Sequence, residues 1–328
     1  MRLSFSVVGL LAASATSACS KAEPERAVPP PPPAAATHPV AVETDTSFRF
    51  PAAERVVAIG DLHGDVAATK RALRLAGATD DQDRWKGGKL VVVQTGDQLD
   101  RGDDEPDILA LLERLSAEAK AAGGALHVLN GNHEVMNVQG DFRYVTEDGF
   151  HDYAKTPPGG HEREVQRLSA DARGRASAFL SGGSAARTLA ERPVVIQVGD
   201  NVFVHGGVRE RHVDYGLGRI NREARQWMQA SASAPAPEIL TNEQAPVWAR
   251  LYSDGAPSSS ACDELSRVLL RLKAKRLVVG HTVQEQGINS ACDGKVWRID
   301  VGLSKHYGNN PTSVLEIACD EPRVLRAE

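Results

Sequence analysis

Five short segments combine glycine with aspartate, histidine or asparagine: "GDLHGD" at Gly60–Asp65, "GDQLDRG" at Gly96–Gly102, "GNHE" at Gly131–Glu134, "VHGG" at Val204–Gly207 and "VVGHT" at Val278–Thr282. Asp61 and His63 stand two apart, so on extended backbone they point the same way and can grip one cation. Asp97 can bridge two cations through its carboxylate oxygens, and Asn132, His205 and His281 can complete the second. A mixed set of oxygen and nitrogen donors suits Mn, Fe, Zn or Co rather than Ca or Mg. Two ions roughly 3.5–4 Å apart are the usual arrangement for hydrolysing phosphate esters. Any one of these clusters alone reads as a turn or a satisfied core histidine. Five together, with complementary donors, read as one site.

Each cluster closes an apolar run, so the elements that must position it can be read off. "RVVAIG" from Arg55, "KLVVVQTG" from Lys89 and "ALHVLNG" from Ala125 are strands, separated by helical patterns over 65–78 and 105–124, the second with Pro106 in its first turn. Strands alternating with helices imply βαβ units, with ligands gathering at the carboxyl ends of the strands. From Asp141 to about Arg192 the sequence turns polar and helix-prone without strands, and reads as an insertion over one edge of the site. Strands then resume at "PVVIQVG", "NVFVHGG", "RLVVGHT", "VWRIDVG" and "SVLEIA", the first two joined by a hairpin turn at Asp200-Asn201. This order fits an α/β fold of two packed sheets flanked by helices better than one open sheet.

The 328 residues suffice for a real core, and a net charge of −5 with 5% aromatic residues argues against a nucleic-acid partner. The chain divides into 1–19, a signal segment; 20–47, a Pro/Ala-rich tether; and 48–328, one catalytic domain. Arg2 precedes a short apolar stretch, and "TSAC" ending at Cys19 resembles a bacterial lipobox with Thr16 where leucine is usual. The resemblance implies export to the periplasm and an outer-membrane tether through a lipidated Cys19. Export permits a disulfide, and Cys262 and Cys292, both in polar turn-like sequence flanking one strand, are the candidate pair. His38, His151, His161 and His212 sit in polar sequence and are expected in solvent. His127 alternates with apolar neighbours and is expected to be packed, while His306 could line the pocket.

The five clusters in this order resemble the phosphoprotein phosphatase branch of the calcineurin-like metallophosphoesterases, over roughly Arg55 to Gly302. "DRGDDE", "GNHEVMN" and "VVGHTVQ" are further similar to the Shewanella-like protein phosphatases, a subgroup that tends to favour phosphotyrosine. "KHYGNN" at Lys305–Asn310 departs from the toxin-binding loop of eukaryotic Ser/Thr phosphatases, which implies insensitivity to those toxins. The resemblance implies a four-layer α-β-β-α sandwich of two mixed sheets and hydrolysis of phosphomonoesters on a phosphorylated protein or peptide. Two transition metal ions (Mn, Fe or Zn) would be held by Asp61, His63 and Asp97 on one side and Asp97, Asn132, His205 and His281 on the other. A hydroxide between the ions would attack phosphorus, and His133, oriented by Asp100, would protonate the leaving oxygen. Arg101 would clamp the phosphoryl oxygens together with Asn132, and Arg250 is a candidate second phosphate-binding arginine. Glu134 is expected to orient ligands, while Asp103, Asp104 and Glu105 are explained by the positive end of the following helix. Two other functions fit the same clusters less well: hydrolysis of a dinucleoside polyphosphate, and a tethered binding protein that has lost catalysis.

Overall fold

A computed structural model describes residues 45–157, 162–230, 234–308 and 310–327. The signal segment, Cys19, nearly all of the tether, His38 and His161 lie outside the described residues. The first half runs β1 (Arg49–Phe50), β2 (Arg55–Ile59), α1 (Val66–Leu75), β3 (Val91–Gln94), α2 (Glu105–Ala121), β4 (Ala125–Val128) and α3 (Asn132–Gln139). Four helices follow without a strand: α4 (Glu147–His151), α5 (Glu162–Val165), α6 (Ala170–Phe179) and α7 (Ser184–Ala190). The second half is β5 (Val195–Val198), β6 (Asn201–Val204), α8 (Glu210–Tyr215), α9 (Leu217–Gln229), α10 (Glu238–Thr241), α11 (Ser259–Leu272), β7 (Arg276–Val279), β8 (Asn289–Ala291), β9 (Val296–Arg298), β10 (Ser313–Ala318) and β11 (Glu321–Arg326).

The strands form two mixed sheets, one of order β1-β5-β6-β7-β9-β8 and one of order β11-β10-β2-β3-β4. Within them β2, β3 and β4 are mutually parallel, as are β6, β7 and β9, so the strands that end in donor clusters all deliver them in the same sense. Side-chain alternation explains the layering. On β6, Val202 and Val204 face the helices while Phe203 packs in the core that includes the other sheet. On β7, Leu277 and Val279 face outward and Val278 inward. The outer core is closed by apolar faces of α7, α9 and α11, for example Leu189, Ile220, Trp227, Leu265 and Leu269. The inter-sheet core continues through Val56–Ile59 of β2 and Val92 and Val93 of β3, all buried, to Leu73 of α1 and to Ile108, Leu112 and Leu115 of α2. The result is helices, sheet, sheet, helices.

Three strands had no expectation, namely β1, β8 and β11, all of them edges too short or too polar to alternate clearly. The hairpin after β5 turns at Gly199 and Asp200, with Asn201 already paired to Val198; Gly199 takes φ +55°. Residues 45–47, expected in the tether, already contact the folded body: the Asp45 carboxylate pairs with Arg222 of α9 and accepts the Ser47 N–H at 3.1 Å. Cys262, in the first turn of α11, is joined to Cys292 just after β8, and Cys319 is free and exposed.

Candidate active site

The donor clusters meet where the carboxyl ends of both sheets converge. Two loops interlock there through glycine: a Cβ on Gly102 would lie 2.4 Å from His63 O, and one on Gly64 2.5 Å from the Gly102 carbonyl carbon. Five of the residues delivered are in left-handed backbone conformation, His63, Asp97, Asp100, Arg101 and His281, with φ from 44° to 68°. Such conformations in non-glycine residues cost on the order of 1–3 kcal/mol each and persist only where the surroundings enforce them. Glu134 is one of the enforcing groups. Its carboxylate accepts the backbone N–H of Gly131 at 2.6 Å, Asp97 at 2.8 Å and Gln98 at 2.9 Å, which ties the start of α3 to the loop after β3.

Hydrogen-bond partners decide which ring nitrogens carry protons. His205 Nδ1 lies 3.0 Å from Thr95 O and His281 Nε2 lies 3.2 Å from Trp248 O; a carbonyl only accepts, so both nitrogens are the protonated ones in the neutral rings. The opposite face of His205, Nε2, then meets Asn132 Oδ1 at 2.9 Å, His281 Nδ1 at 3.1 Å and Asp97 Oδ2 at 3.1 Å. With both rings neutral, four lone pairs converge with no proton between them, an arrangement that a bound cation makes favourable. His63 repeats the logic. Its Nδ1 is 3.0 Å from Leu99 O, leaving Nε2 facing Asp97 Oδ2 at 3.8 Å and Asp61 Oδ2 at 4.0 Å, and the Arg101 guanidinium donates to it at 3.0 Å. Donor atoms of His63, Asp97 and His133 lie within 4.8 Å of one another, as do those of Asp97, His205 and His281, so Asp97 is common to both sets.

Electrostatics favour the same occupant. Burial holds His63 and His281 well below the usual histidine range, so they stay neutral and able to ligate. Asp61 is pushed well above the carboxylate range by burial and by its neighbours Asp300 and Asp97, a concentration of negative charge that a bound cation would relieve. Burial also opposes ionisation of Asp97, but the positive charge of the neighbouring His133 helps to outweigh it and to hold that carboxyl well below its ordinary value. Asp300 was not anticipated, although "WRIDVG" places an acid at the end of an apolar strand just as the other clusters do.

Beside the shared aspartate, His133 Nδ1 is 2.6 Å from Asp100 Oδ2, and its Nε2 lies 3.8 Å from Asp97 Oδ2. Burial disfavours the imidazolium, yet Asp97 and Asp100 outweigh that penalty and raise the histidine above its usual range. Arg101 is less free than a clamp awaiting substrate. It donates to the Tyr307 hydroxyl as well as to His63, and its guanidinium sits 5.1 Å from the centre of the Tyr144 ring and 5.5 Å from that of Tyr307. Tyr144 also packs against His133 at 5.1 Å and is 42% exposed, so one face of the site is an open aromatic wall. Neither tyrosine carried a signal in the sequence, since both stand in loops. Arg250 lies on the rim, exposed, donating to His281 O at 2.9 Å and Thr282 Oγ1 at 2.8 Å, and it makes no ion pair among the described residues.

Two other expectations need correction. Glu105 is not an ordinary helix-start acid, because it is fully buried and accepts the Asp100 N–H at 2.6 Å. Its partner is Arg175 of α6, also fully buried, at 2.7 Å; removing one member of such a buried pair costs about 3–5 kcal/mol. His212 is buried rather than solvated, and burial lowers it to about 4. His306 is exposed on the turn at Lys305–Tyr307 with its ring against Tyr307, at the edge of the site and near enough to Arg101 and His133 to feel their charges. His127 is packed as expected, its ring 4.2 Å from Phe50, and His151 is exposed.

Residues 54–285 match the family model described as calcineurin-like phosphoesterase. The chain is 40% identical to Shewanella-like protein phosphatase 2 of Arabidopsis thaliana over 83% of its own length and 77% of the relative's. It is 29% identical to Shewanella-like protein phosphatase 1 of Plasmodium berghei over 83% of its length and 74% of the relative's. Among solved structures, a cold-active protein-tyrosine phosphatase of a psychrophile Shewanella species superposes with a TM-score of 0.67 at 25% identity, covering 85% of this chain and 82% of that one.

Proposed function

Because the chain belongs to the calcineurin-like phosphoesterases, and within them to the Shewanella-like protein phosphatases, it is a metal-dependent phosphoester hydrolase, and we propose that its substrates are phosphotyrosine-bearing proteins or peptides. The observation that carries the reading is Asp97 shared between two converging donor sets, with the His133–Asp100 pair at its side. Asp61, His63 and Asp97 would hold one ion and Asp97, Asn132, His205 and His281 the other; oxygen and nitrogen donors together favour Mn, Fe or Zn. Two such ions would acidify the attacking water and neutralise charge on the phosphoryl group.

The chain's own residues account for the remaining chemistry. Arg101 would turn from the Tyr307 hydroxyl to the phosphoryl oxygens, and Arg250, on the rim beside His281, would contact the phosphate from the opposite side. As water oxygen bonds to phosphorus and the ester P–O bond breaks, His133 Nε2 gives its proton to the leaving oxygen, and Asp100 holds the ring in line through Nδ1. An aromatic leaving group is supported by Tyr144 and Tyr307, which flank Arg101 and offer ring faces to a phenyl ester. It is supported too by the name of the superposed Shewanella enzyme.

The test is kcat/KM on matched phosphotyrosine, phosphoserine and phosphothreonine peptides and on diadenosine tetraphosphate, after chelation and reconstitution with Mn, Fe or Zn. Chelation should abolish turnover and reconstitution restore it, with the phosphotyrosine peptide preferred by at least about tenfold, the discrimination that roughly 1.4 kcal/mol of ring contact supplies. Cleavage of the dinucleotide without the phosphopeptides would sink the reading. The same reading places the enzyme outside the cytoplasmic membrane, supported by the lipobox-like segment and by the Cys262–Cys292 disulfide, a bond that persists in oxidising compartments. Cys19→Ser should move it from the membrane to the soluble periplasmic fraction; an unchanged membrane fraction would rule out the tether.

A further inference from the structure

We propose that Arg175, delivered by the insertion, is a positioning residue for proton transfer: it fixes Asp100 so that His133 stays in line with the leaving oxygen. The inference rests on the reading of His133 as proton donor.

All five guanidinium N–H groups are engaged. Nε donates to Asn137 Oδ1 at 2.8 Å, Nη1 to Glu105 Oε2 at 2.7 Å and to Gly149 O at 2.8 Å, and Nη2 to Glu105 Oε1 at 3.0 Å and to Asp100 Oδ1 at 3.2 Å. Asp100 Oδ1 also accepts from Asn137 Nδ2 at 2.9 Å, so one oxygen of the carboxylate is pinned twice while the other faces His133. Glu105, held bidentately by Arg175, in turn holds the backbone of Asp100 through its N–H. Arg175 therefore grips Asp100 at the side chain directly and at the backbone through Glu105. The guanidinium plane is itself held among the rings of Phe179, Tyr153 and Phe142, at 4.7, 5.4 and 6.0 Å. A rigid planar fork with no spare donor is a better reference point for an imidazole than a flexible ammonium.

Among the converging donors this network bonds only to His133, through Asp100 and Asn137, and not to Asp61, His63, Asp97, Asn132, His205 or His281, so its disturbance should fall on the leaving group and spare the ions. Loss of proton donation matters for a poor leaving group and hardly at all for one that departs as a stable anion. A merely structural arginine would lower turnover uniformly.

The experiment measures kcat, KM and bound metal for the full chain on phenyl phosphate and on 2,4-dinitrophenyl phosphate. The variants are Arg175→Lys, the double variant Arg175→Gln/Glu105→Gln (which leaves no unpaired buried charge) and His133→Asn as reference. In Arg175→Lys and in the double variant, kcat on phenyl phosphate should fall by about tenfold or more, as displacement of a catalytic group by about an ångström allows, while the dinitrophenyl ester stays within about threefold. Metal content and KM should be unchanged. Equal losses on both esters in these variants, with His133→Asn still selective for the poor leaving group, would overturn the role of Arg175 and leave the proton donor standing. Equal losses in His133→Asn would overturn the donor assignment and this inference with it.

Discussion

Replacing His133 by asparagine should lower kcat on phosphotyrosine by about 10²- to 10⁴-fold, the range general acid catalysis supplies, with both ions still bound. Nδ1 of the ring is committed to Asp100 at 2.6 Å, so Nε2 is left as the group that can meet a leaving oxygen, and an asparagine amide cannot give up a proton there. The side chain is buried beside Asp97 at 3.8 Å, so the variant must be checked for metal content and folding before the rate is interpreted. Turnover within threefold of wild type, at normal metal content, would show that another group protonates the ester oxygen.

Asp97→Asn should be more damaging still, because both donor sets lose the residue they have in common. The charge that metal ions place on a transferring phosphoryl group contributes several kcal/mol, so losing one ion should cost about 10³-fold or more in kcat. The variant should also lose stabilisation by metal. A ligand that binds only the folded state at about 100 times its Kd adds about 2.7 kcal/mol, so wild type should show a higher urea midpoint with Mn²⁺ than without, and Asp97→Asn should show little change. If the variant retains two ions per chain and the same metal-dependent midpoint, Asp97 does not bridge.

Much of this site is legible along the chain. Asp61, His63, Asp97, Asn132, His133, His205 and His281 each stand just beyond an apolar run, and each run becomes a strand whose carboxyl end opens into the site. The helix-rich insertion from Asp141 to Arg192 was visible from its lack of strands, and its role was not. Glu105 shows why. At the start of a helix with Pro106 next to it, an acid needs no further explanation, and only Arg175, arriving across 70 positions, reveals that it is part of the support for Asp100. Arg175 itself lies among alanine, glycine and serine in "DARGRASAF", where nothing marks it as different from Arg173 two residues earlier, which is exposed.

What the sequence determined by itself was the kind of donor at each strand end, the order of those donors and hence the class of chemistry. That is largely local information, because an apolar β-branched run closed by glycine and a ligand favours a strand with the ligand just beyond its end. Tertiary structure alone decided which nitrogen of each histidine faces its neighbours, since a carbonyl such as Thr95 O or Trp248 O selects the tautomer from more than thirty positions away. It also decided that Asp300 crowds Asp61, that Tyr307 occupies Arg101, and that a buried arginine from the insertion holds Asp100, the partner of His133. Those are pairings between side chains remote in the chain, and their energies exist only once packing has removed the water that would otherwise satisfy each group separately.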